Sequence, residues 1–221
     1  ESKKIPKMVE LINNADFDVI FVGGSSMEDE KFKTRLKRIK SNTDLPVIIF
    51  PGDSNQISKD ADAILYLSLL SGRNPDFLIG EQVKSAPLIN KHSIEVIPTG
   101  YILIDGNTNS SVQKVSNTKP LPMNNLKTIL HHALAAEYLG KSFVFLEAGS
   151  GAKNHVTAEL IEFISPNIKI PIIVGGGITS PISAKNLTSS GASYLVIGSK
   201  IEALPTQNEL LDITNAIHGN N

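Results

Sequence analysis

The sequence predicts an α/β chain folded as a (β/α)8 TIM barrel, modified in two places. Its first strand is absent from these residues, and one outer helix gives way to an irregular segment. Three patterns predict this fold. Short, almost continuous apolar runs alternate with stretches of helical period. Glycine-rich turns follow nearly every apolar run. The apolar runs number seven, with a helix ahead of the first. Continuous apolar strands suit a parallel sheet covered on both faces, and the turns after barrel strands are where barrel active sites lie. An open doubly wound sheet gives the same alternation without a missing strand.

Taken in order, Ile5 to Asn14 reads as an amphipathic helix, and Asp18 to Val22 as a strand running into Gly23-Gly24. Glu28 to Lys40 is the next helix, and Val47 to Phe50 a strand ending at Pro51-Gly52. From Pro51 to Asp62 the residues favour turns and make poor helix material. This crossover is either a plain surface loop or a gap in the helical ring that admits something long and apolar. Ala63 to Leu67 is a strand followed by Ser71-Gly72, and Glu95 to Ile104 a longer run broken at Pro98 and Gly100. Asn124 to Leu139 is helical, and Phe143 to Leu146 is a strand leading into Gly149. Val156 to Ile164 is helical, Ile172 to Val174 ends in a triple glycine, and Pro181 to Ser190 is helical. Tyr194 to Ile197 runs into Gly198, and Glu209 to His218 closes the series as a helix.

The 221 residues fit a single domain, 1–221, with enough chain for a full core. A net charge of −1 gives no electrostatic footprint for nucleic acid. No apolar run reaches the roughly 18 residues of a membrane span, and no basic-then-apolar leader opens the chain, so a cytoplasmic location is expected. The absence of cysteine excludes disulfides, thiolate zinc sites and thiol catalysis. The chain begins at Glu1 rather than Met, consistent with a strand lying upstream.

The strongest chemical signal is a pair of late turns, Val174-Gly175-Gly176-Gly177-Ile178 and Val196-Ile197-Gly198-Ser199-Lys200. Glycines after the last two barrel strands let backbone N–H groups approach a phosphate; simple tight turns are the plainer account. In Phe145-Leu146-Glu147-Ala148-Gly149-Ser150-Gly151, Glu147 ends a strand beside a glycine turn. There it is placed to bind a substrate hydroxyl, to take its proton, or to orient a neighbouring lysine. Ser25 and Ser26 follow Gly23-Gly24 and suit phosphate, a magnesium shell or a helix cap. Arg73 and Lys119 lie in loops and suit a diphosphate, although solvated surface charge explains either equally well. His131-His132, His92, His155 and His218 lack ligand spacing, and Lys169 and Lys200 lack apolar surroundings for Schiff-base chemistry.

Together these stretches resemble the geranylgeranylglyceryl and heptaprenylglyceryl phosphate synthases. The resemblance is carried by Val22-Gly-Gly-Ser-Ser26, Leu70-Ser-Gly-Arg-Asn-Pro75, Ile97-Pro-Thr-Gly-Tyr-Ile-Leu-Ile-Asp-Gly106 and Ser116-Asn-Thr-Lys-Pro120. Leu146 to Ala152, Val174 to Ile178 and Gly198-Ser199 complete it, from about Asp18 to Ile201. The resemblance implies a Mg2+-dependent prenyltransferase in ether-lipid synthesis. The hydroxyl of sn-glycerol 1-phosphate attacks C1 of a polyprenyl diphosphate, geranylgeranyl by default and heptaprenyl as the rival, and displaces pyrophosphate. It implies that Phe145, Leu146, Glu147, Ala148, Gly149, Ser150 and Gly151, with Gly176, Gly177, Gly198 and Ser199, hold glycerol 1-phosphate. Arg73 and Lys119 would meet the diphosphate, and Ser26 the metal, alongside an aspartate from the missing strand. Phe145 stands where the family has Tyr, so that hydroxyl is lost or comes from elsewhere. The expected partners are the two substrates, further copies of the chain as a dimer or hexamer, and transiently a membrane surface, with no nucleic acid. Another phosphate-binding barrel enzyme, or a non-catalytic phosphometabolite binder, are the competing readings.

Overall fold

All seven apolar runs form strands of one parallel sheet. The computed structural model describes residues 4–24 and 29–219. In chain order the elements begin with α1 (Ile5–Asn13), β1 (Ile20–Val22), α2 (Asp29–Lys40), β2 (Val47–Ile49), β3 (Ala63–Leu69), α3 (Glu81–His92), β4 (Glu95–Leu103) and α4 (Ser111–Ser116). They continue with α5 (Leu126–Tyr138), β5 (Phe143–Glu147), α6 (Ala158–Ile164), β6 (Ile172–Gly175), α7 (Pro181–Ser189), β7 (Tyr194–Val196), α8 (Ser199–Glu202) and α9 (Gln207–His218). Each strand pairs with its successor in sequence, the order of a barrel wall. Among the described residues β7 and β1 do not pair. A cleft of about 220 Å³ lies between them, walled by Ile12, Phe17, Ile20, Leu195, Ile197 and Ile217.

Strand alternation sorts the core into two bodies. Val22, Val47, Ile49, Ile64, Ile102, Val144, Leu146 and Val174 pack outward against the helices. Leu65, Leu69, Tyr101, Leu103, Phe145 and Ile173 face inward and fill the lumen, with Phe21, Ile48, Phe50 and Val196 against them. Helix starts are fixed by side-chain caps: Thr157 accepts from the Leu160 N–H, Ser180 from Ser183, and Thr206 with Glu209 forms a capping box.

Besides the short helices α4 and α8, which the sequence did not suggest, three expectations change. The run from Glu95 is not broken at Pro98 and Gly100, since β4 passes through both. The first β4–β5 register pair is Thr99 with Phe143, so the missing Pro98 N–H falls beyond the start of the neighbouring strand, while its carbonyl accepts from Ser142 at 2.7 Å. Gly100 gives way to α5, where a Cβ would stand 2.6 Å from the Ala136 Cβ. The second change is α3, a full helix where none is apparent in the sequence, entered through a π-helical turn at Asp76–Gly80. Pro87 inside it obscures the pattern but lies on the exposed side, as does Val83, whose carbonyl it frees toward water. The third is small: β3 continues to Leu69. The expected helix start at Glu28, together with Ser25 and Ser26, lies outside the described residues.

The crossover between β2 and β3 carries no helix, as its composition requires. Side chains hold its backbone instead. Gly52 N–H donates to Gln56 Oε1 at 3.1 Å, and the fully buried Gln56 donates through its amide to Gly24 O. Ser54 N–H donates to Glu81 Oε2 on α3 at 2.7 Å, tying the irregular segment across to the next helix.

Candidate active site

A cavity of about 910 Å³ opens at the C-terminal ends of the strands and has two distinct ends. One is polar and built from turns after β5, β6 and β7. Glu147, the last residue of β5, points into the lumen and is only 7% exposed. Its Oε1 accepts from Gly149 N–H at 2.7 Å. Burial raises its carboxyl from 4.5 to about 7, and the Gly149 N–H opposes that rise. A carboxyl poised there holds or releases a proton near neutrality.

Gly176 completes the same corner with φ +90°, a conformation that disfavours any side chain. A Cβ on it would stand 2.7 Å from the Gly149 backbone and 2.9 Å from Glu147 Oε1. The backbone can therefore run close over the carboxylate only as glycine. Gly177, Gly198 and Ser199 line the same wall, and Gly151 N–H donates to Ser199 Oγ at 3.2 Å, so the β5 and β7 turns are joined across the cavity. This cradle is lined by the glycines Gly151, Gly176, Gly177 and Gly198, by the hydroxyl residues Ser150, Thr179 and Ser199 and by one carboxyl, a lining that suits a phosphate with adjoining hydroxyls.

The other end is mainly apolar, with Asp53, Ser54, Glu81, Gln82 and Ser85 also in its lining. It passes over Phe50, Leu67 and Leu69 and leaves the lumen through the gap in the helical ring, between Pro51 to Ile57 and the face of α3 that carries Gln82 and Ser85. Ile57 and Ile64 are buried in its wall. Phe77, in the π-helical turn, and Tyr66, whose hydroxyl donates to the Gln82 carbonyl at 2.5 Å, both line the passage.

The structure brings Glu147, Ser150, Gly151, Gly176, Gly177, Gly198 and Ser199 to one cavity. Phe145, Leu146, Ala148 and Gly149 do not line it. Phe145 is buried beneath Phe50 and Tyr101, Leu146 points outward into the helix layer, and Gly149 acts through its hydrogen bond to Glu147. Arg73 and Lys119 are exposed on two rim loops joined by Asn74 Nδ2 donating to Ser116 O at 3.2 Å. Arg73 itself donates to the carbonyls of Leu70 and Gly72. Lys31 and Arg35, one turn apart on α2, line the cavity and were not singled out from the sequence. Their i, i+4 spacing just after a glycine turn was the available signal. Ser26 lies outside the described residues.

Among the described residues, no helix is long and apolar enough to cross a membrane. Comparison with known proteins gives a concordant picture. The model of the PcrB family matches residues 1–217. A geranylgeranylglyceryl phosphate synthase of Flavobacterium johnsoniae is 50% identical over 191 residues, covering 86% of this chain and 79% of that protein. The crystal structure of (S)-3-O-geranylgeranylglyceryl phosphate synthase from Thermoplasma acidophilum in complex with sn-glycerol-1-phosphate superposes with a TM-score of 0.92 at 37% identity, covering 97% of this chain and 87% of that one. At 14% identity, a thiamine phosphate pyrophosphorylase of Pyrococcus furiosus shares the fold, with a TM-score of 0.62 over 99% of this chain and 90% of that one.

Proposed function

The chain belongs to the PcrB family, and from that premise we propose that it joins sn-glycerol 1-phosphate to geranylgeranyl diphosphate through an ether bond, releasing pyrophosphate. One observation carries the reading: a single cavity runs from a phosphate-type cradle beside a buried carboxyl to an apolar arm that exits the barrel. A sugar-phosphate enzyme has no use for that arm. Burial of a long prenyl tail at about 0.8 kcal/mol per CH₂ yields on the order of ten kcal/mol, enough to justify removing a helix from the ring. The names and substrate of the similar proteins support the same pair of substrates.

In this reading the turns at Gly176-Gly177 and Gly198-Ser199 hold the acceptor's phosphate, and Glu147 takes the proton of its attacking hydroxyl. Lys31 and Arg35 meet the donor's diphosphate inside the cavity, and Arg73 and Lys119 draw it in at the rim. Magnesium, when bound, would neutralise charge on the leaving diphosphate. Among the described residues no three acidic or histidine side chains converge to hold a metal, and Ser26 lies outside them. What the described residues do themselves is bind, orient and accept a proton.

The same reading places the protein in the cytoplasm, in passing contact with the membrane that supplies the donor and receives the product. It also pairs copies of the chain through Tyr138 and Leu139, which stand 78% and 66% exposed at the end of α5. Sedimentation reads the assembly directly. The decisive experiment is incubation of labelled sn-glycerol 1-phosphate with farnesyl, geranylgeranyl and heptaprenyl diphosphates, with and without magnesium. The expected result is a labelled ether lipid, formed fastest with the geranylgeranyl donor and lost on chelation. No product from any donor overturns the proposal.

A further inference from the structure

Where the polar and apolar ends of the cavity meet, the surface is aromatic. Phe50 stacks on Phe145 with centroids 5.1 Å apart and planes 20° from parallel. Tyr101 lies 5.9 Å from Phe50 and meets Phe145 edge-on at 5.3 Å, and Phe21 extends the row at 6.1 Å from Phe50. Phe21, Phe50 and Tyr101 line the cavity, while Phe145 lies fully buried below and sets their positions.

The place of this row along the cavity is fixed by strand register. Tyr101 on β4 pairs with Phe145 on β5, and Glu147 is the next inward residue of β5 after Phe145. Phe50 ends the run of β2, beside the exit that begins at Pro51. The two rings thus stand between the carboxyl at one end and the apolar arm at the other. A donor whose tail occupies the arm, and whose C1 reaches a hydroxyl over Glu147, runs its first isoprene unit across them.

Resting on the prenyl-transfer reading above, we propose that the rings of Phe50 and Tyr101 stabilise the positive charge that develops on the donor's allylic carbons as the diphosphate leaves. The C1–O bond breaks with its electron pair going to the departing diphosphate oxygen. The resulting charge is shared between C1 and C3 of the allylic unit. The acceptor's hydroxyl oxygen then bonds to C1, and its proton passes to the Glu147 carboxylate. Water would serve such a cation badly, because it competes with the acceptor as a nucleophile. An aromatic face offers negative electrostatic potential with no lone pair to attack. An aliphatic side chain at either position would keep the wall apolar but offer no such potential.

The test separates charge from shape. Phe50 is replaced by phenylalanines carrying one, two and three ring fluorines, which keep the ring's outline and progressively weaken the negative face. The rate of the chemical step is read by single turnover with both substrates saturating, apart from product release. The expected result is a stepwise fall, roughly tenfold at the trifluoro ring, with unchanged KM for both substrates and an unchanged thermal midpoint. A flat series overturns the proposal. In parallel, Tyr101→Phe retains most of the rate and Tyr101→Leu loses about tenfold. Equal losses in the two variants assign the effect to the hydroxyl and overturn the role of that ring. If the unmodified enzyme makes no ether product, the prenyl-transfer reading fails; if it makes product and the fluorine series is flat, only the present inference fails.

Discussion

The two ends of the cavity are made from the same βα units by opposite means. After β5, β6 and β7 the chain turns on glycines, stays close to the lumen and brings its backbone and one buried carboxyl to the cavity wall. After β2 it does the reverse. It omits the helix, leaves an exit whose inner wall is apolar, and satisfies its backbone N–H groups with the side chains of Gln56 and Glu81. Anion recognition needs backbone brought near and side chains removed, whereas apolar recognition needs a helix removed and side chains recruited to satisfy the backbone it leaves behind.

The polar end is broken most completely at Glu147. Glu147→Gln keeps the shape and the acceptor lone pair but cannot take a proton, so turnover falls roughly 10²- to 10⁴-fold, the usual worth of a placed general base. Because burial lifts the carboxyl to about 7, kcat/KM of the native enzyme rises with pH through neutrality and levels above it. A wild-type rate in the Gln variant removes Glu147 from the mechanism.

The same residue carries a cost to stability whose sign follows from its raised pKa. The unfolded carboxyl loses its proton near the ordinary 4.5, and the folded one only near 7. Between these values the folded state holds a proton that the unfolded state has released, so stability declines as pH rises through the window. Above it the full penalty is on the order of 3 kcal/mol. Glu147→Gln should therefore gain stability over the native protein as pH is raised from about 5 to about 8, while losing activity. Denaturant midpoints across that range check it, and a pH-independent difference between the two proteins sinks it.

Much of the polar end was legible in the sequence, because its signals are local. A carboxylate at a strand's end beside glycines, and glycines after the last two strands, describe the turns that they form. The helix-poor crossover was legible for the same reason: Pro51-Gly52 and the turn-formers after them act within a few residues. What eluded sequence reading depends on neighbours far along the chain. Lys31 and Arg35 reach the cavity because α2 packs beside β2, and Phe50 and Tyr101 meet only through the registers of β2 to β5. The helix α3 was hidden because Pro87 breaks a pattern that the fold tolerates on its solvent side.

Gly176 offers a milder break of the cradle. In Gly176→Ala the added carbon must sit at φ +90° and 2.7 Å from the Gly149 backbone. Strain of about 1–3 kcal/mol is relieved by moving the turn off the phosphate. The expected signature is a KM for glycerol 1-phosphate raised roughly 10- to 100-fold, with KM for the prenyl donor unchanged. Equal rises for both substrates would mean that the two ends are not separate sites.

The apolar end is sharpened rather than broken by Ile57→Phe. Ile57 is 1% exposed in the wall of the exit, on the segment that replaces the helix. The larger ring has two ways to go: into the packed layer behind, where overpacking costs about 1–3 kcal/mol, or into the passage, where it takes space from the tail. The irregular segment is held by single side-chain hydrogen bonds rather than by a helix's ladder, but Gln56 beside it is buried and fixed, so the passage is the easier direction. Each CH₂ excluded from the wall forfeits about 0.8 kcal/mol, and only the far isoprene units are affected. Preference should therefore shift about tenfold from the geranylgeranyl toward the farnesyl donor, with KM for glycerol 1-phosphate unmoved. An unchanged donor preference in a folded variant would show that the tail leaves the barrel by another route, and the contrast between the two ends would have to be redrawn around it.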